Sequence, residues 1–222
     1  MITVHHLQNS RSQRIIWLME ELGVDYDVQI HERDPDTRLA PASYKALHPL
    51  GKAPVVRVDG EALAETGAII EYFVDRHPEK ALKPEIGTPA RDRYNYWMHA
   101  AEGSLMPLLV MSLFFTQMET SPPFFIRPFV KPVTGRVREM YLRPSLKNIL
   151  EYVEMQLSQS DWFAGDTFTA ADIMMSFPME AAMVRANIGK PCPSCLEWLE
   201  RVHARPGYKI AVEKGGEQTI LT

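Results

Sequence analysis

The chain has 222 residues, of which 45% are hydrophobic and 23% are charged, as in ordinary globular proteins. A net charge of −4 argues against a nucleic-acid-binding surface, and two cysteines are too few for a disulfide scaffold. No segment approaches the roughly 20 apolar residues of a membrane helix, and the amino terminus lacks the basic and apolar regions of a signal peptide. We therefore expect a cytoplasmic protein with one large domain or two modest ones.

The first part of the chain alternates strands and helices. Residues 2–8 predict a short strand, 15–22 a helix with apolar side chains at helical spacing, and 26–30 a second strand. A strand, a helix and a strand in succession favour a parallel pair joined by a crossover helix. Residues 33–50 contain three prolines and predict a loop with a short irregular helix.

A hairpin and a further helix follow. Two short runs, 55–58 and 61–64, flank Asp59-Gly60, a dipeptide typical of hairpin turns. A helix is predicted over residues 66–77, because a proline directly after it ends the helical pattern. The resulting order β-α-β-α-β-β-α within residues 1–80 is that of a thioredoxin-like domain.

The pattern becomes helical throughout the second part of the chain. Residues 78–89 hold three prolines and few apolar side chains, so they predict a linker between a domain of residues 1–80 and an all-helical domain of residues 88–222. The tail after Pro206 is expected to be weakly structured, and a proline-rich break is expected at 121–132. Helices are predicted over 91–118, 134–159, 169–185 and 195–204.

Glu65 and Thr66 stand where a helix begins behind the hairpin. Thr66 is suited to cap that helix, whose unpaired backbone N–H groups attract a carboxylate, and Glu65 attracts an ammonium group. A cis bond at Pro54 would turn the backbone of Ala53 towards an extended peptide. These residues suit the zwitterionic end of an amino acid or peptide, although an ordinary surface turn is the commoner setting for an isolated Ala-Pro.

Two motifs resemble those of the cytosolic glutathione transferases. Residues 51–55 (Gly-Lys-Ala-Pro-Val) and 63–69 (Leu-Ala-Glu-Thr-Gly-Ala-Ile) are similar to the glutathione-binding half of that family, which usually has Val or Ile at Ala53 and Ser at Thr66. Residues 168–173 (Phe-Thr-Ala-Ala-Asp-Ile) resemble the capping motif of its helical second domain. The resemblance implies the glutathione transferase fold, an α/β thioredoxin-like domain that binds glutathione followed by an all-α helical bundle.

The junction between the first strand and the first helix is where a thioredoxin-like domain places its reactive group, because the helix N-terminus stabilises an anion. This junction has no Cys or Tyr. Glutathione brings its own thiol, whose pKa of about 8.5 falls when a hydroxyl donates a hydrogen bond to the sulfur. Ser10 matches the serine of serine-type transferases and is the first candidate for that donor, ahead of Ser12 and Asn9. The alternative role for Ser10 is the N-cap of the first helix.

Charge suggests partners for the γ-glutamyl and cysteinyl parts of glutathione. Glu65 would bind the ammonium group, and the N–H and hydroxyl of Thr66 would bind the neighbouring carboxylate. Ala53, followed by Pro54, would pair through its backbone with the cysteinyl residue.

The two ends of glutathione have further candidate partners. Lys52 is placed to bind the glycyl carboxylate, with Arg38 as a weaker candidate whose alternative is a solvated surface charge. Glu102 would approach the glutamyl end from a neighbouring subunit, since the resemblance implies two-fold dimers in which the first domain of one subunit meets the second domain of the other.

An apolar wall for a second substrate is expected in the helical part, because thioether and aromatic side chains suit varied apolar electrophiles. Core packing is the alternative for most of these residues, and the proline-rich segment 121–132 is the part best placed to set specificity. The candidates are Met111, Leu113, Phe114, Phe115, Met118, Phe124, Phe125 and Phe129.

Cys192-Pro193-Ser194-Cys195 matches the C-x-x-C pattern of redox proteins, but its late position before a short helix argues against a redox centre. No further soft ligand stands nearby in the sequence, and the seven histidines lack metal-ligand spacing, so no metal site is predicted.

The sequence therefore predicts a glutathione transferase that holds the thiol as thiolate for attack on apolar electrophiles. Glutathione would be a co-substrate, no cofactor is expected, and the protein would be a homodimer without nucleic-acid or membrane partners. A glutathione-dependent peroxidase, reductase or isomerase using the same site is one alternative, and a regulatory or scaffold protein of this fold is another.

Overall fold

One four-stranded sheet lies in the first part of the computed structural model, which describes residues 1–185 and 192–216. Its strands are β1 (Ile2–Leu7), β2 (Asp27–His31), β3 (Val55–Val58) and β4 (Glu61–Ala64). They lie in the order β2-β1-β3-β4, with β1 parallel to β2 and β3 antiparallel to its two neighbours. This arrangement confirms the predicted parallel pair and the predicted hairpin.

Helices account for most of the remaining described chain. Two π-helical segments, Ala101–Leu105 and Arg138–Leu142, join neighbouring α-helices into longer stretches. The α-helices are α1 (Gln13–Leu22), α2 (Ala42–Lys45), α3 (Thr66–Val74), α4 (Pro89–Ala100), α5 (Met106–Thr120), α6 (Arg127–Val137), α7 (Arg143–Leu157), α8 (Ala170–Arg185), α9 (Pro193–Ala204) and α10 (Pro206–Gly215).

Helix α1 crosses from β1 to β2 and is almost completely enclosed. Its apolar residues, among them Ile15, Ile16 and Leu18, are buried in the main core. The helix contacts α3, which follows the hairpin, and also α8 and α10 from the helical part. The start of α1 is therefore held in place from several sides, which matters because the predicted reactive junction lies there.

Several predicted helix limits were wrong. The break predicted at 121–132 is shorter, because α6 already begins at Arg127 and carries Pro132 inside it. A proline removes one helical hydrogen bond, and Pro132 lies at the exposed middle of α6. Helix α3 ends at Val74 rather than at residue 77.

The tail after Pro206 was expected to be weakly structured, but its residues Pro206–Gly215 form α10, while residues 217–222 lie outside the described residues. Proline is well suited to the first position of a helix, where its missing N–H costs nothing. Contacts with α1 hold α10 in place: Gln13 Nε2 donates to the Ala211 carbonyl at 2.5 Å, and Lys214 Nζ lies 2.6 Å from Glu20 Oε1. The sequence of the tail does not reveal these partners, which are nearly 200 residues away along the chain.

The stretch Pro89–Thr120 is long and apolar enough to cross a membrane, with a mean hydropathy of 1.3 over its most apolar 18 residues. The sequence-based expectation that no segment reaches this length was therefore wrong. Core helices meet the same criterion, and Tyr94, Trp97 and Leu105 of this stretch are buried in the main core.

The predicted capping motif at the start of α8 is confirmed. Asp172 Oδ2 accepts hydrogen bonds from the Thr169 N–H at 2.9 Å and from the Thr169 hydroxyl at 3.2 Å, while Oδ1 accepts from Phe163 N–H and Trp198 Nε1, both at 3.0 Å. Burial raises the pKa of Asp172 to about 6. This carboxyl therefore joins the helix start to the preceding loop and to α9, besides capping α8.

Candidate functional site

A cleft lies between the sheet and the helical part. It consists of two cavities of about 370 Å³ and about 150 Å³, which have Arg11, Lys52 and Ala53 in common. The larger cavity reaches from the β1–α1 junction to α5 and α8, and the smaller one reaches to the start of α3 and to Glu102. The cleft is therefore lined by the segments on which the sequence placed its candidate residues.

Ser10 and Asn9 line the larger cavity, whereas Ser12 does not. Ser10 is 7% exposed and Ser12 is fully buried. Ser12, and not Ser10, occupies the N-cap position of α1, although its side chain makes no capping hydrogen bond. The alternative role considered for Ser10, the N-cap of α1, is therefore wrong. The two hydroxyl oxygens lie 2.7 Å apart, and the Ser12 N–H donates to Ser10 Oγ at 3.3 Å.

His6 lies behind the two serines. Its Nδ1 is 2.9 Å from Ser12 Oγ, and the Leu7 N–H donates to the same oxygen at 3.2 Å. Burial lowers the pKa of His6 to about 4, so the ring is neutral at neutral pH. A hydrogen-bonded chain therefore runs from the His6 imidazole through Ser12 to Ser10 at the wall of the cleft.

The loop before β3 has the cis bond raised from the sequence, whereas the start of α3 differs from the prediction. The Ala53–Pro54 peptide bond is cis, and Glu65 has a φ of 70°, which is uncommon for a residue other than glycine. Thr66, expected as the N-cap of α3, is its first helical residue, and Glu65 occupies the N-cap position. Ala53, Pro54, Glu65 and Thr66 all line the smaller cavity, with Glu65 exposed and Thr66 buried.

Arg14 is a fully buried cation beneath the smaller cavity. Its Nη2 lies 2.6 Å from Glu102 Oε1 and donates to Thr66 Oγ1 at 3.3 Å, and its Nη1 donates to the Met174 carbonyl at 2.5 Å. Burial lowers the pKa of Arg14, and the nearby Glu102 carboxylate opposes that effect. An arginine side chain stays charged even so, and this cation fixes the hydroxyl of Thr66 relative to Glu102.

Glu102 lies in the cleft of its own chain, where it also forms an ion pair with Arg11 Nε at 3.2 Å. Glu102 and Glu65 thus line the same cavity within one chain, without a neighbouring subunit. Lys52 lines both cavities and is exposed. Arg38 is exposed and is not among the residues that line the two cavities.

The apolar wall of the larger cavity differs from the predicted one. Of the predicted residues only Leu113 lines the cavity. Phe124, Phe125 and Phe129 are 80%, 61% and 76% exposed and are not among the residues that line it. The apolar residues that line the cavity are Leu7, Leu39, Ala40, Met106, Leu109, Val110, Leu113, Phe177 and Ala181.

Three polar residues of the site were missed by sequence reasoning. Arg11 forms part of both cavities, and Arg33 donates to the carbonyls of Gln8 and Asn9 at 2.9 Å and 3.1 Å, which holds the junction loop. His6 supports Ser12 from below. Arg11 directly follows Ser10, and this position was a signal that could have identified it. Nothing local in the sequence indicates the roles of His6 and Arg33.

Comparison with known proteins gives matches along both parts of the chain. The family model of the glutathione S-transferase N-terminal domain matches residues 10–76, and that of the C-terminal domain matches residues 111–206. Glutathione S-transferase 3 of Schizosaccharomyces pombe is 37% identical over 220 residues, which cover 99% of this chain and 90% of that protein.

Solved structures agree with these sequence matches. A glutathione S-transferase from Actinobacillus pleuropneumoniae has a TM-score of 0.78 and 31% identity, with 99% of this chain and 95% of that chain covered. A sphingomonad glutathione S-transferase complexed with glutathione has a TM-score of 0.70 at 22% identity, covering 96% and 98% of the two chains, and shows likeness of fold alone. The chain is thus a member of the glutathione S-transferase family of enzymes, with a thioredoxin-like part followed by a helical part.

Proposed function

We propose that this protein binds glutathione in the cleft, holds its sulfur as thiolate beside Ser10, and presents it to an apolar electrophile. The observation that carries the proposal is that the larger cavity, which Ser10 lines, adjoins a chemically different smaller cavity at Arg11, Lys52 and Ala53. Charged and polar groups line the smaller cavity, and apolar side chains from α5 and α8 line the larger one. A tripeptide with charged ends and an apolar second substrate fit this division.

The polar contacts of glutathione follow from charge. Glu65 and Glu102 suit the γ-glutamyl ammonium group, and Thr66, held by Arg14, suits the neighbouring carboxylate. The backbone of Ala53 suits the cysteinyl residue, as in the strand-like pairing of an extended peptide. Lys52 suits the glycyl carboxylate.

The chain of hydrogen bonds behind Ser10 supports its role as donor. In the tautomer with a proton on His6 Nδ1, Ser12 Oγ accepts from His6 and from the Leu7 N–H and donates to Ser10 Oγ. Ser10 Oγ then accepts from the Ser12 N–H and hydroxyl, and glutathione binding would bring the sulfur to the O–H of Ser10. Donors in series polarise one another and favour the anion at the end of the chain.

The burial of Ser12 favours Ser10 over Ser12 as the group that meets the sulfur. Asn9, which also lines the larger cavity, stays as the alternative donor. A shift of one pKa unit in the thiol corresponds to about 1.4 kcal/mol, an amount that one charge-assisted hydrogen bond supplies. The rate would come from this stabilisation and from holding the two reactants together.

Binding and chemistry can be tested separately. Calorimetric titration with glutathione should show binding that weakens at least about tenfold in Glu65→Gln, since a charged hydrogen bond is worth about 1.5–3 kcal/mol. The exposed Glu61→Gln in β4 is the matched control and should leave the affinity unchanged. A protein that releases no heat with glutathione would be a regulatory or scaffold protein, and the proposal would be wrong.

The thiolate is the second part of the test. Ser10→Ala should raise the pKa of bound glutathione, followed by thiolate absorbance, by about one unit and lower kcat/KM with a haloarene about tenfold near neutral pH. Full activity in Ser10→Ala with loss in Asn9→Ala would reassign the donor. If the protein turned over hydroperoxides but no haloarene or epoxide, its activity would be peroxide reduction at the same site and not conjugation.

We also propose that residues 1–80 and 88–222 are the two domains of the protein and that two copies form a homodimer. The helical part exposes more large apolar side chains, such as Phe114, Phe129 and Met140, than isolated surface residues would explain. Sedimentation equilibrium should give twice the mass of the chain, and a monomer at all concentrations would contradict the dimer.

A further inference from the structure

Two buried cysteines and a carboxylate meet where α7 and α9 cross, away from the cleft. Cys192 precedes α9, Cys195 lies in its first turn, and Glu154 comes from α7. One ligand atom from each of the three residues lies within 4.8 Å of the other two. We call this group the thiol–carboxylate cluster. None of its members lines either cavity of the cleft.

The backbone at the start of α9 holds the carboxylate close to the two thiols. Glu154 Oε1 accepts from the Ser194 N–H and Oε2 accepts from the Cys195 N–H, both at 3.0 Å. In redox proteins with a C-x-x-C motif, the helix N-terminus stabilises a reactive thiolate instead. Here those two amides serve the carboxylate, so the arrangement does not favour thiol–disulfide chemistry.

We propose that the thiol–carboxylate cluster binds one thiophilic divalent cation of the zinc type. Zinc takes thiolate sulfur at about 2.3 Å and carboxylate oxygen at about 2.0–2.2 Å, so two sulfurs on one tetrahedral ion stand about 3.8 Å apart. Ligand atoms that already lie within 4.8 Å of one another need only small side-chain adjustments to reach that spacing.

Burial and charge both suit a metal ion. Cys195 is fully buried and Cys192 is 8% exposed, so ligands are held with little water around the sulfurs, while the half-buried Glu154 leaves a path for entry. Binding forms two metal–thiolate bonds and one metal–carboxylate bond and releases the two thiol protons to solvent. Three protein ligands leave one tetrahedral position for water.

Cobalt(II) alone is the probe, because its thiolate complexes absorb by charge transfer and its tetrahedral complexes have intense visible bands. The full-length protein, reduced with a phosphine and free of glutathione, should show both sets of bands at one cobalt ion per chain. Zinc added afterwards should abolish them, since zinc prefers the same ligands. Wild-type protein without thiolate charge-transfer bands would overturn the proposal.

Variants locate the site. Cys192→Ser/Cys195→Ser should abolish the charge-transfer bands and keep the affinity for glutathione, because the cluster lies outside the cleft. Glu154→Gln keeps an acceptor for a helix amide and should weaken cobalt binding at least about tenfold. Glu200→Gln is the control. It removes the same charge as Glu154→Gln from an exposed position on α9, the helix that carries Cys195, and should bind cobalt as the wild type does.

Two outcomes would overturn the assignment. Charge-transfer bands that persist in the double cysteine variant would place the ion elsewhere, and unchanged affinity in Glu154→Gln would remove the carboxylate from the site. Far-ultraviolet circular dichroism of each variant shows whether it is folded. If the double variant does not fold, alkylation of the native thiols takes its place, since bound cobalt should protect both cysteines in the folded wild-type protein.

Discussion

At the scale of single residues, burial separates side chains that the sequence leaves equivalent. Ser10 and Ser12 are two positions apart and carry the same hydroxyl, but only Ser10 lines the cleft. Ser12 is held from below by the Leu7 N–H and by His6. The turn before α1 therefore assigns one serine to the cleft and the other to its support.

Acid should destabilise the protein through His6. Burial lowers its pKa to about 4, below the value of about 6.5 in an unfolded chain. Between these values the unfolded state binds more protons, so the free energy of unfolding falls as the pH decreases, by roughly 3 kcal/mol when the loss is complete. The loss should be visible between about pH 7 and about pH 5 as a difference in urea unfolding between the wild type and a His6 variant, since the raised pKa of Asp172 acts in the opposite direction below about pH 6.

Two variants test this assignment. His6→Asn places an amide near the position of Nδ1 that can donate to Ser12 Oγ but does not titrate, so its stability should depend less steeply on pH than that of the wild type. The exposed His99→Asn is the matched control and should keep the wild-type slope. His5 and His31 also have lowered pKa values from burial and should leave a smaller residual slope. Equal slopes in wild type and His6→Asn would contradict the prediction.

At the scale of secondary-structure elements, the packing of α10 on α1 is the main feature that the sequence did not indicate. The backbone of Gly215 lies so close to α1 that a Cβ atom there would stand 2.2 Å from Gln13 Oε1. Gln13 cannot easily move, since it is buried and bonded to the Ala211 carbonyl. Close approach of two helices at a glycine explains how α10 covers α1.

Gly215→Ala should therefore destabilise the protein by about 1–3 kcal/mol, the usual cost of forcing extra volume into a packed interface. Gly135→Ala in α6 is the control, because nothing lies within 4 Å of its Cβ position and alanine favours a helix by roughly 0.5–1 kcal/mol. Thermal unfolding should separate the two variants in opposite directions. A Gly215→Ala protein as stable as the wild type would show that α10 shifts to accommodate the methyl group without loss of stability.

At the scale of the whole molecule, Arg14 links the sheet-containing part to the helical part. It extends from α1 to Thr66 of α3, to Glu102 and to the Met174 carbonyl of α8. The guanidinium carbon Cζ also lies 5.5 Å from the centroid of the Phe177 ring. The relative position of the two walls of the cleft therefore depends on one buried cation.

Arg14→Met should destabilise the protein by about 3 kcal/mol, because it leaves the buried Met174 carbonyl without its donor and removes the shorter of the two ion pairs of Glu102. Arg11→Met is the matched control, since Arg11 also pairs with Glu102 but is 33% exposed, and such pairs contribute about 1 kcal/mol at most. Urea unfolding followed by tryptophan fluorescence measures both variants. Similar effects of the two substitutions would contradict the role given to Arg14.

Local sequence determined the elements whose signals act over a few residues. The hairpin at Asp59-Gly60 and the capping of α8 by Asp172 were predictable, since turn and cap preferences depend on neighbouring residues. The cis peptide bond at Pro54 was one of two possibilities that the sequence left open. The motif around Glu65 also sufficed to indicate the family, which the comparisons confirm.

The tertiary structure decided everything that depends on residues far apart in the chain. Glu154 reaches the two cysteines, α10 covers α1, and Arg14 ties Thr66 to Glu102 through contacts that span about 40 to about 200 positions. The apolar wall of the cleft was likewise set by which faces of α5 and α8 turn inward. The physical reason is that burial and ion pairing depend on distance in space, which a local pattern of residue types does not contain.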